Sequence, residues 1–198
     1  MNLAGRDLTK YMFTILQESN VKFDSTAEFD IAKDIKEIKC RVALDFKEEM
    51  KSFELTQELN TEFQLPDGNT ITFGNQQIRV PELMFDPSVI GKDFAGVHVN
   101  AESCIQNCDI DVRRDLWENI ILSGGNTMFP NMKERLTKEL KALAPPSINV
   151  KVLAENNRKC AVWIGGATMS TLSSFQDQWV TKQDYEEHGK QIVHKKCF

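Results

Sequence analysis

The sequence predicts a mixed α/β fold. Three observations carry that prediction. Apolar residues recur at three- and four-residue spacing in several segments, the period of a helix with one buried face. Two β-rich runs flank a Pro-Asp-Gly turn between residues 61 and 73, the pattern of a hairpin. Between residues 119 and 152, a short apolar run, a Gly-Gly turn, an amphipathic stretch and a second β-rich run follow one another, the order of a parallel strand–helix–strand unit.

Each element follows from local chemistry. Leu8, Tyr11, Met12, Ile15 and Leu16 share one face and predict the first helix. A second helix is predicted from Thr26, read as its N-cap, with Phe29, Ala32 and Ile35 inward and Lys33, Lys36, Glu37 and Lys39 on the charged side. Residues 42–51 read as a third, weaker helix. In the hairpin, Leu65-Pro66-Asp67-Gly68-Asn69 makes the turn. Residues 81–96 are punctuated by Pro and Gly, and Asp86-Pro87-Ser88-Val89-Ile90-Gly91 places Val89 and Ile90 as bare aliphatics on a turn. Val112, Leu116 and Trp117 mark another helix. Residues 119–122 read as a buried strand that enters Ser123-Gly124-Gly125-Asn126-Thr127 directly. The helix predicted over 131–143 has Asn131 and Glu134 at capping-box spacing, a stripe of Met132, Leu136, Leu140 and Leu143, and a Glu134–Lys138 pair on its wet side. Ala144-Pro145-Pro146 stops it. Ile148, Val150 and Val152 alternate as the second strand. From Arg158 the pattern is helical again, with a break predicted at Gly165-Gly166, and it ends in the basic run His194-Lys195-Lys196.

Composition narrows the function classes. The 198 residues carry 24 Lys+Arg against 29 Asp+Glu, a net charge of −5, which disfavours sequence-independent nucleic-acid binding. A chain 41% hydrophobic and 27% charged has the balance of a folded soluble domain rather than a disordered one. No apolar run approaches the ~20 residues of a membrane span. Met1-Asn2-Leu3-Ala4-Gly5-Arg6-Asp7 has neither the basic nor the apolar region of a secretory signal, so none is expected. Five cysteines (Cys40, Cys104, Cys108, Cys160 and Cys197), odd in number and irregular in spacing, predict reduced thiols. Cys104 and Cys108 would share a helix face, but a metal centre needs further ligands that the neighbouring sequence lacks, so a structural role is favoured.

The strand–Gly-Gly–helix junction is the leading site candidate. Adjacent glycines let backbone amides approach a ligand, and a helix N-terminus suits phosphate or ribose oxygens. The pattern is also that of an ordinary tight turn. The second pair, Gly165-Gly166 after Val162-Trp163-Ile164, is more simply read as close helix packing. The chain has no P-loop, His-Glu-x-x-His pair or Gly-x-Ser-x-Gly elbow. His98, His188 and His194 are dispersed, and Asp109 and Asp111 suit a helix start better than paired acid–base chemistry. No catalytic residue is assigned.

Leu3-Ala4-Gly5-Arg6-Asp7-Leu8-Thr9, Asp34-Ile35-Lys36-Glu37, Leu65-Pro66-Asp67-Gly68, Leu122-Ser123-Gly124-Gly125, Trp163-Ile164-Gly165-Gly166 and Ile192-Val193-His194-Lys195-Lys196-Cys197-Phe198 resemble, in order, the C-terminal half of the actin family. The resemblance spans residues 3–198. It implies part of an actin-like ATPase fold (ribonuclease H-like), in which two α/β lobes enclose a nucleotide cleft. Residues 1–92 would form the outer helical and β-hairpin subdomain of one lobe. Residues 93–160 would form part of its sheet subdomain, with the Gly-Gly nucleotide loop. Residues 161–198 would be C-terminal helices that pack on the other lobe.

The function implied is that of a cytoskeletal, ATP-binding filament protein of the cytoplasm. Its partners would be other actin subunits and actin-binding proteins, with neither nucleic acid nor membrane among them. The adenosine side of an ATP or ADP site falls on Gly5, Lys33, Lys36, Glu37, Gly124, Gly125, Asn126, Met128, Phe129 and Lys159. Glu37 would accept from ribose hydroxyls, while Phe129 and aliphatic stems would sandwich the base. Three departures stand out: Asn126 where the family usually has Thr, Phe129 where it usually has Tyr, and Lys33 for the usual Arg. Val89 and Ile90 match the loop that reaches the other filament strand. Gly165, Thr168, Met169, Leu172 and Ser174 fall near the cleft where partner helices dock. The family's phosphate loops, its acidic residues for Mg2+ and its water-positioning residue belong to the N-terminal half, so this chain is expected to be incomplete as an ATPase. Two other readings compete: a non-catalytic interaction or capping module, and a relative of the sugar-kinase and chaperone ATPases. The Trp163 motif and the Lys196-Cys197-Phe198 ending weigh against the last.

Overall fold

Helix α1 (Gly5–Leu16) forms where the apolar spacing predicts it, with Leu8, Met12, Ile15 and Leu16 buried. Asp7 turns back to accept from the Ala4 amide at 3.0 Å, satisfying a donor at the helix start. A computed structural model describes residues 2–19, 25–56 and 59–196, so Cys197 and Phe198 of the C-terminal motif lie outside the described residues. The chain divides into two units, Met1–Lys159 and Cys160–Phe198.

In the first unit, α2 (Thr26–Lys39) packs along α1. Its N-cap is Ser25 rather than Thr26. The Glu28 amide donates to Ser25 Oγ at 3.4 Å and the Ser25 amide to Glu28 Oε2 at 2.6 Å, a complete capping box. Ala32 and Ile35 face inward as predicted, but Phe29 is only half-buried, and Lys36 is buried rather than on the charged side. The third helix begins later than predicted, as α3 (Phe46–Leu55), capped by Asp45, which accepts from the Glu48 amide at 3.2 Å. Val42 and Ala43 are fully buried in non-helical backbone, and the Arg41 and Val42 amides donate to Gln77 O and Pro130 O at 3.0 Å each. These long-range bonds compete successfully with a helical turn there.

Strands β1 (Thr61–Gln64) and β2 (Thr70–Phe73) form the antiparallel hairpin, Thr61 opposite Phe73 and Gln64 opposite Thr70. The buried helix α4 (Gln76–Glu82) follows. Pro87–Ile90 is a short 3-10 turn in which Asp86 accepts from the Ser88 amide at 3.1 Å. Here Val89 is exposed, but Ile90 packs against the core, so only one of the two expected bare aliphatics is bare. Consecutive residues of a three-residue turn point about 120° apart, which separates the pair. Helix α5 (Val97–Gln106) has no predicted counterpart. Helix α6 (Ile110–Glu118) buries Trp117 and leaves Val112 and Leu116 exposed.

The strand–helix–strand unit is present with short strands. β3 (Ile120–Ile121) pairs in parallel with β4 (Val152–Leu153), Ile120 opposite Val152, and α7 (Met132–Leu143) lies between them in sequence. The buried-strand prediction fails at Ile121, which is 70% exposed. Side chains alternate across a strand, so Ile120 and Leu122 turn toward the core and Ile121 turns away. The predicted capping box of α7 does not form. Asn131 takes a left-handed backbone (φ 65°) and its Nδ2 donates to Val42 O at 3.2 Å. Leu143 is exposed at the end of the stripe, and Lys138 donates to Leu44 O at 2.9 Å and pairs with Asp45 rather than with Glu134.

One hydrophobic cluster runs from Leu8 to Val152 and draws on both segments, 1–92 and 93–160. A buried polar node joins its helices. The Arg135 guanidinium holds both Glu82 oxygens at 2.9 and 3.0 Å, donates to Ala43 O at 2.7 Å and to Glu139 at 2.6 Å, and lies 4.6 Å from the centre of the Phe85 ring.

In the second unit, α8 (Ala161–Thr171) runs through Gly165-Gly166 without the predicted break. A glycine costs a helix interior only about 1 kcal/mol relative to alanine, which the flanking residues offset. Helices α9 (Ser173–Gln176), α10 (Lys182–His188) and α11 (Val193–Lys196) follow. Thr181 and Asp184 form a capping box, and Lys196 Nζ donates to Asp184 and to Trp179 O, both at 2.8 Å. Among the described residues, no helix is long and apolar enough to cross a membrane.

Candidate functional site

A cavity of about 560 Å³ opens in the first unit between the start of α1, one face of α2, the 3-10 turn Gly125–Met128 and Lys159. Helix geometry explains the α2 wall: Lys33, Lys36 and Glu37 stand four, seven and eight residues after Phe29 and share a face with it. The first turn of α1 adds Gly5, Arg6 and Thr9. Gly125, Asn126, Met128 and Phe129 close the opposite side.

The turn is built to be rigid. Gly124 has φ +87°, a conformation side chains rarely adopt, and its amide donates to Arg158 O at 2.9 Å. Thr127 folds back on Gly124 O through its amide (3.1 Å) and hydroxyl (2.8 Å), and the Arg158 guanidinium reaches Thr127 O at 3.1 and 3.2 Å. These bonds place Lys159 beside the turn. Gly124 itself shapes the turn without lining the cavity. The helix N-terminus expected at the glycine pair is displaced, because the 3-10 turn, Phe129 and Pro130 intervene before α7 begins at Met132. At Gly5 the walls approach closely: a Cβ there would come within 2.8 Å of Asn126 Oδ1 and would make that side chain shift.

Lys36 is the fixed charge of the site. Its Nζ donates to Thr9 Oγ1 at 3.0 Å and Gly5 O at 3.2 Å, and Glu37 Oε1 lies 4.0 Å away. Burial holds the Lys36 pKa below the usual lysine range, against the opposing pull of Glu37. Exposed Glu37 also pairs with Lys159 at 3.7 Å. Four cationic side chains (Arg6, Lys33, Lys36 and Lys159) and one carboxylate line the cavity, so its field favours an anionic ligand although the chain as a whole is acidic.

The structure thus brings together Gly5, Lys33, Lys36, Glu37, Gly125, Asn126, Met128, Phe129 and Lys159 of the predicted set. Arg6, Thr9 and Phe29 also line the cavity and were not predicted. Their signal was present: Phe29, Lys33 and Glu37 form a four-residue ladder, and Gly5 and Thr9 are one turn apart. Gly165, Thr168, Met169, Leu172 and Ser174 are all exposed in the second unit. Cys40 is buried and free, its thiol pushed up to about 12 by burial, while Cys104, Cys108 and Cys160 are free and exposed. Cys108 Sγ lies 3.3 Å from Cys104 O, with no third ligand assembled beside it among the described residues.

A family model described as Actin matches residues 1–198. The chain belongs to the actin family. An actin-like fold follows from that membership. Actin-family proteins generally bind ATP with Mg2+. The cationic and aromatic lining here fits a nucleotide, whereas no three His, Cys, Asp or Glu side chains among the described residues converge to cage a cation.

Proposed function

We propose that this actin-family chain holds the adenosine side of ATP or ADP in the cavity between α1, α2 and the Gly125–Met128 turn, and that it acts as a subunit of a cytoplasmic, cytoskeletal filament. One observation carries the nucleotide reading. Residues far apart in sequence (Gly5, Lys36, Glu37, Asn126 and Lys159) border one cationic cavity with apolar walls. Glu37 has lone pairs left for ribose hydroxyls after pairing with Lys159. The Gly125 backbone is open, with nothing within 4 Å of where its Cβ would stand. Lys36 ties α1 to α2 and so fixes the spacing of the two walls. Hydrolysis is assigned to no residue here.

Calorimetric titration of the full chain with ADP tests this reading. Saturable binding is expected, and Glu37→Gln should weaken it about tenfold, the loss of a hydrogen bond to a charged group. Absence of saturable binding through millimolar ADP overturns it. For the filament, salt-induced sedimentation with and without Mg-ATP should give a pellet that includes this chain together with other actin subunits.

A second reading, an interaction module for actin-binding proteins, has support of its own. Val162, Trp163, Met169 and Leu172 lie exposed at and just after α8, and Val89 is exposed on the Pro87–Ile90 turn. A soluble chain that binds an actin-binding peptide without sedimenting would favour it.

A further inference from the structure

The walls of the cavity differ in how much aromatic surface they leave free. Phe129, the residue in the expected stacking position, is only 6% exposed and belongs to the hydrophobic core. It borders the cavity but leaves little of its surface free. Phe29 lines the same cavity from α2 and is half-buried. It sits on an otherwise charged helix face, one turn before Lys33 and two turns before Glu37. The Phe13 ring of α1 packs beside it, 5.9 Å between centroids and tilted by 49°.

We propose that Phe29 is the stacking platform of this cavity, the side chain on which the flat ring of a nucleotide base rests. The inference rests on the nucleotide reading above and names the residue that grips the base. Along α2, Phe29 and Glu37 are separated by about 12 Å at 1.5 Å per residue. Both line one wall of the cavity, so a base on Phe29 directs its ribose along that wall toward Glu37 and Lys159, whose side chains supply the rest of the span. A half-exposed ring presents apolar surface that gains from being covered, and its tilted contact with Phe13 limits its freedom to turn away. Every base has a π face, so stacking on Phe29 strengthens the grip on adenine and guanine alike.

The experiment compares ligands with and without a ring on the full chain. ADP, GDP and ribose 5-phosphate are titrated calorimetrically into wild type, Phe29→Leu and Phe29→Trp. Leucine keeps the apolar bulk and removes the π face. Expected is about tenfold weaker binding of ADP and of GDP to Phe29→Leu, with ribose 5-phosphate unchanged. Phe29→Trp should retain ADP binding and show a change in indole emission on saturation that wild type lacks. ADP binding to Phe29→Leu at wild-type strength overturns the proposal, as does ADP binding to Phe29→Trp with no change in emission beyond wild type. Wild type that binds none of the three overturns the nucleotide reading, and this proposal with it.

Discussion

The unit through Lys159 and the unit from Cys160 onward are both rich in helix, yet their apolar residues end up in different places. In the first, Leu8, Met12, Leu16, Ile35, Val42 and Leu140 reach full burial because helices, a hairpin and a short parallel pair supply covering faces from several directions. In the second, Ile192 is the one buried residue among those described, and Val162 and Trp163 stand 79% and 75% exposed. Its order comes instead from local polar chemistry: the Thr181–Asp184 capping box, Lys196 on Asp184 and on Trp179 O, and the Phe175–Trp179 edge contact at 5.4 Å. The difference teaches that helical sequence is enough for helices, while burial needs layers. α8 is apolar around its circumference, the composition of a helix made to be enclosed, and its own unit does not enclose it.

Perturbations that act on one unit test this contrast. The largest effect is expected at the polar node of the first unit. Arg135→Met leaves the Glu82 carboxylate buried without its bidentate partner, and removing one side of a buried pair costs about 3–5 kcal/mol. Urea denaturation followed by near-ultraviolet circular dichroism should show the loss; a midpoint within error of wild type would mean that the node does not support the core.

A smaller effect is expected from His98, beside the same node. Its Nδ1 is buried without a partner, its ring lies 5.8 Å from Phe85, and burial holds its pKa below the usual 6.5, with Glu139 pulling up and Arg135 pushing down. The unfolded chain therefore takes up a proton at a higher pH than the folded one. Stability is complete above about pH 6.5 and falls as the pH drops from there toward the folded-state value. Stability measured from pH 7.5 to 5 should decline in wild type more than in His98→Gln; equal slopes would remove His98 from the account.

The smallest effect belongs to the second unit. Trp163→Ser removes a large apolar side chain that its own unit leaves exposed, so unfolding stability should change by no more than about 0.5 kcal/mol. A loss of several kcal/mol, of the size seen when core residues are truncated, would mean that this side chain is covered in solution.

How much was legible in the sequence depended on how local its cause was. The hairpin turn at 65–69, the face of α1 and the stop at Pro145-Pro146 follow from neighbouring residues and stand where predicted. Three of the errors share one character. Asn131 has the residue type of a cap, but Val42 O, 89 residues away, takes its amide. Lys36 reads as part of a charged face, but Thr9 and Gly5 O draw it inside. Phe29 has the spacing of a core residue, yet it borders a cavity whose far wall is about a hundred residues further along the chain. Each of these three was decided by a partner that no local window contains.

By itself the sequence determined the mixed α/β class through the spacing of neighbours along the chain, and the actin-family membership through its run of motifs; most of the cavity lining followed from that resemblance rather than from spacing. Only the tertiary structure decided how much of each ring at the cavity stays free, which lysine is buried, which of Val89 and Ile90 is bare, and which apolar helix is left uncovered. Those outcomes depend on the direction of a side chain relative to surfaces distant in sequence, and direction is fixed only when the surfaces meet.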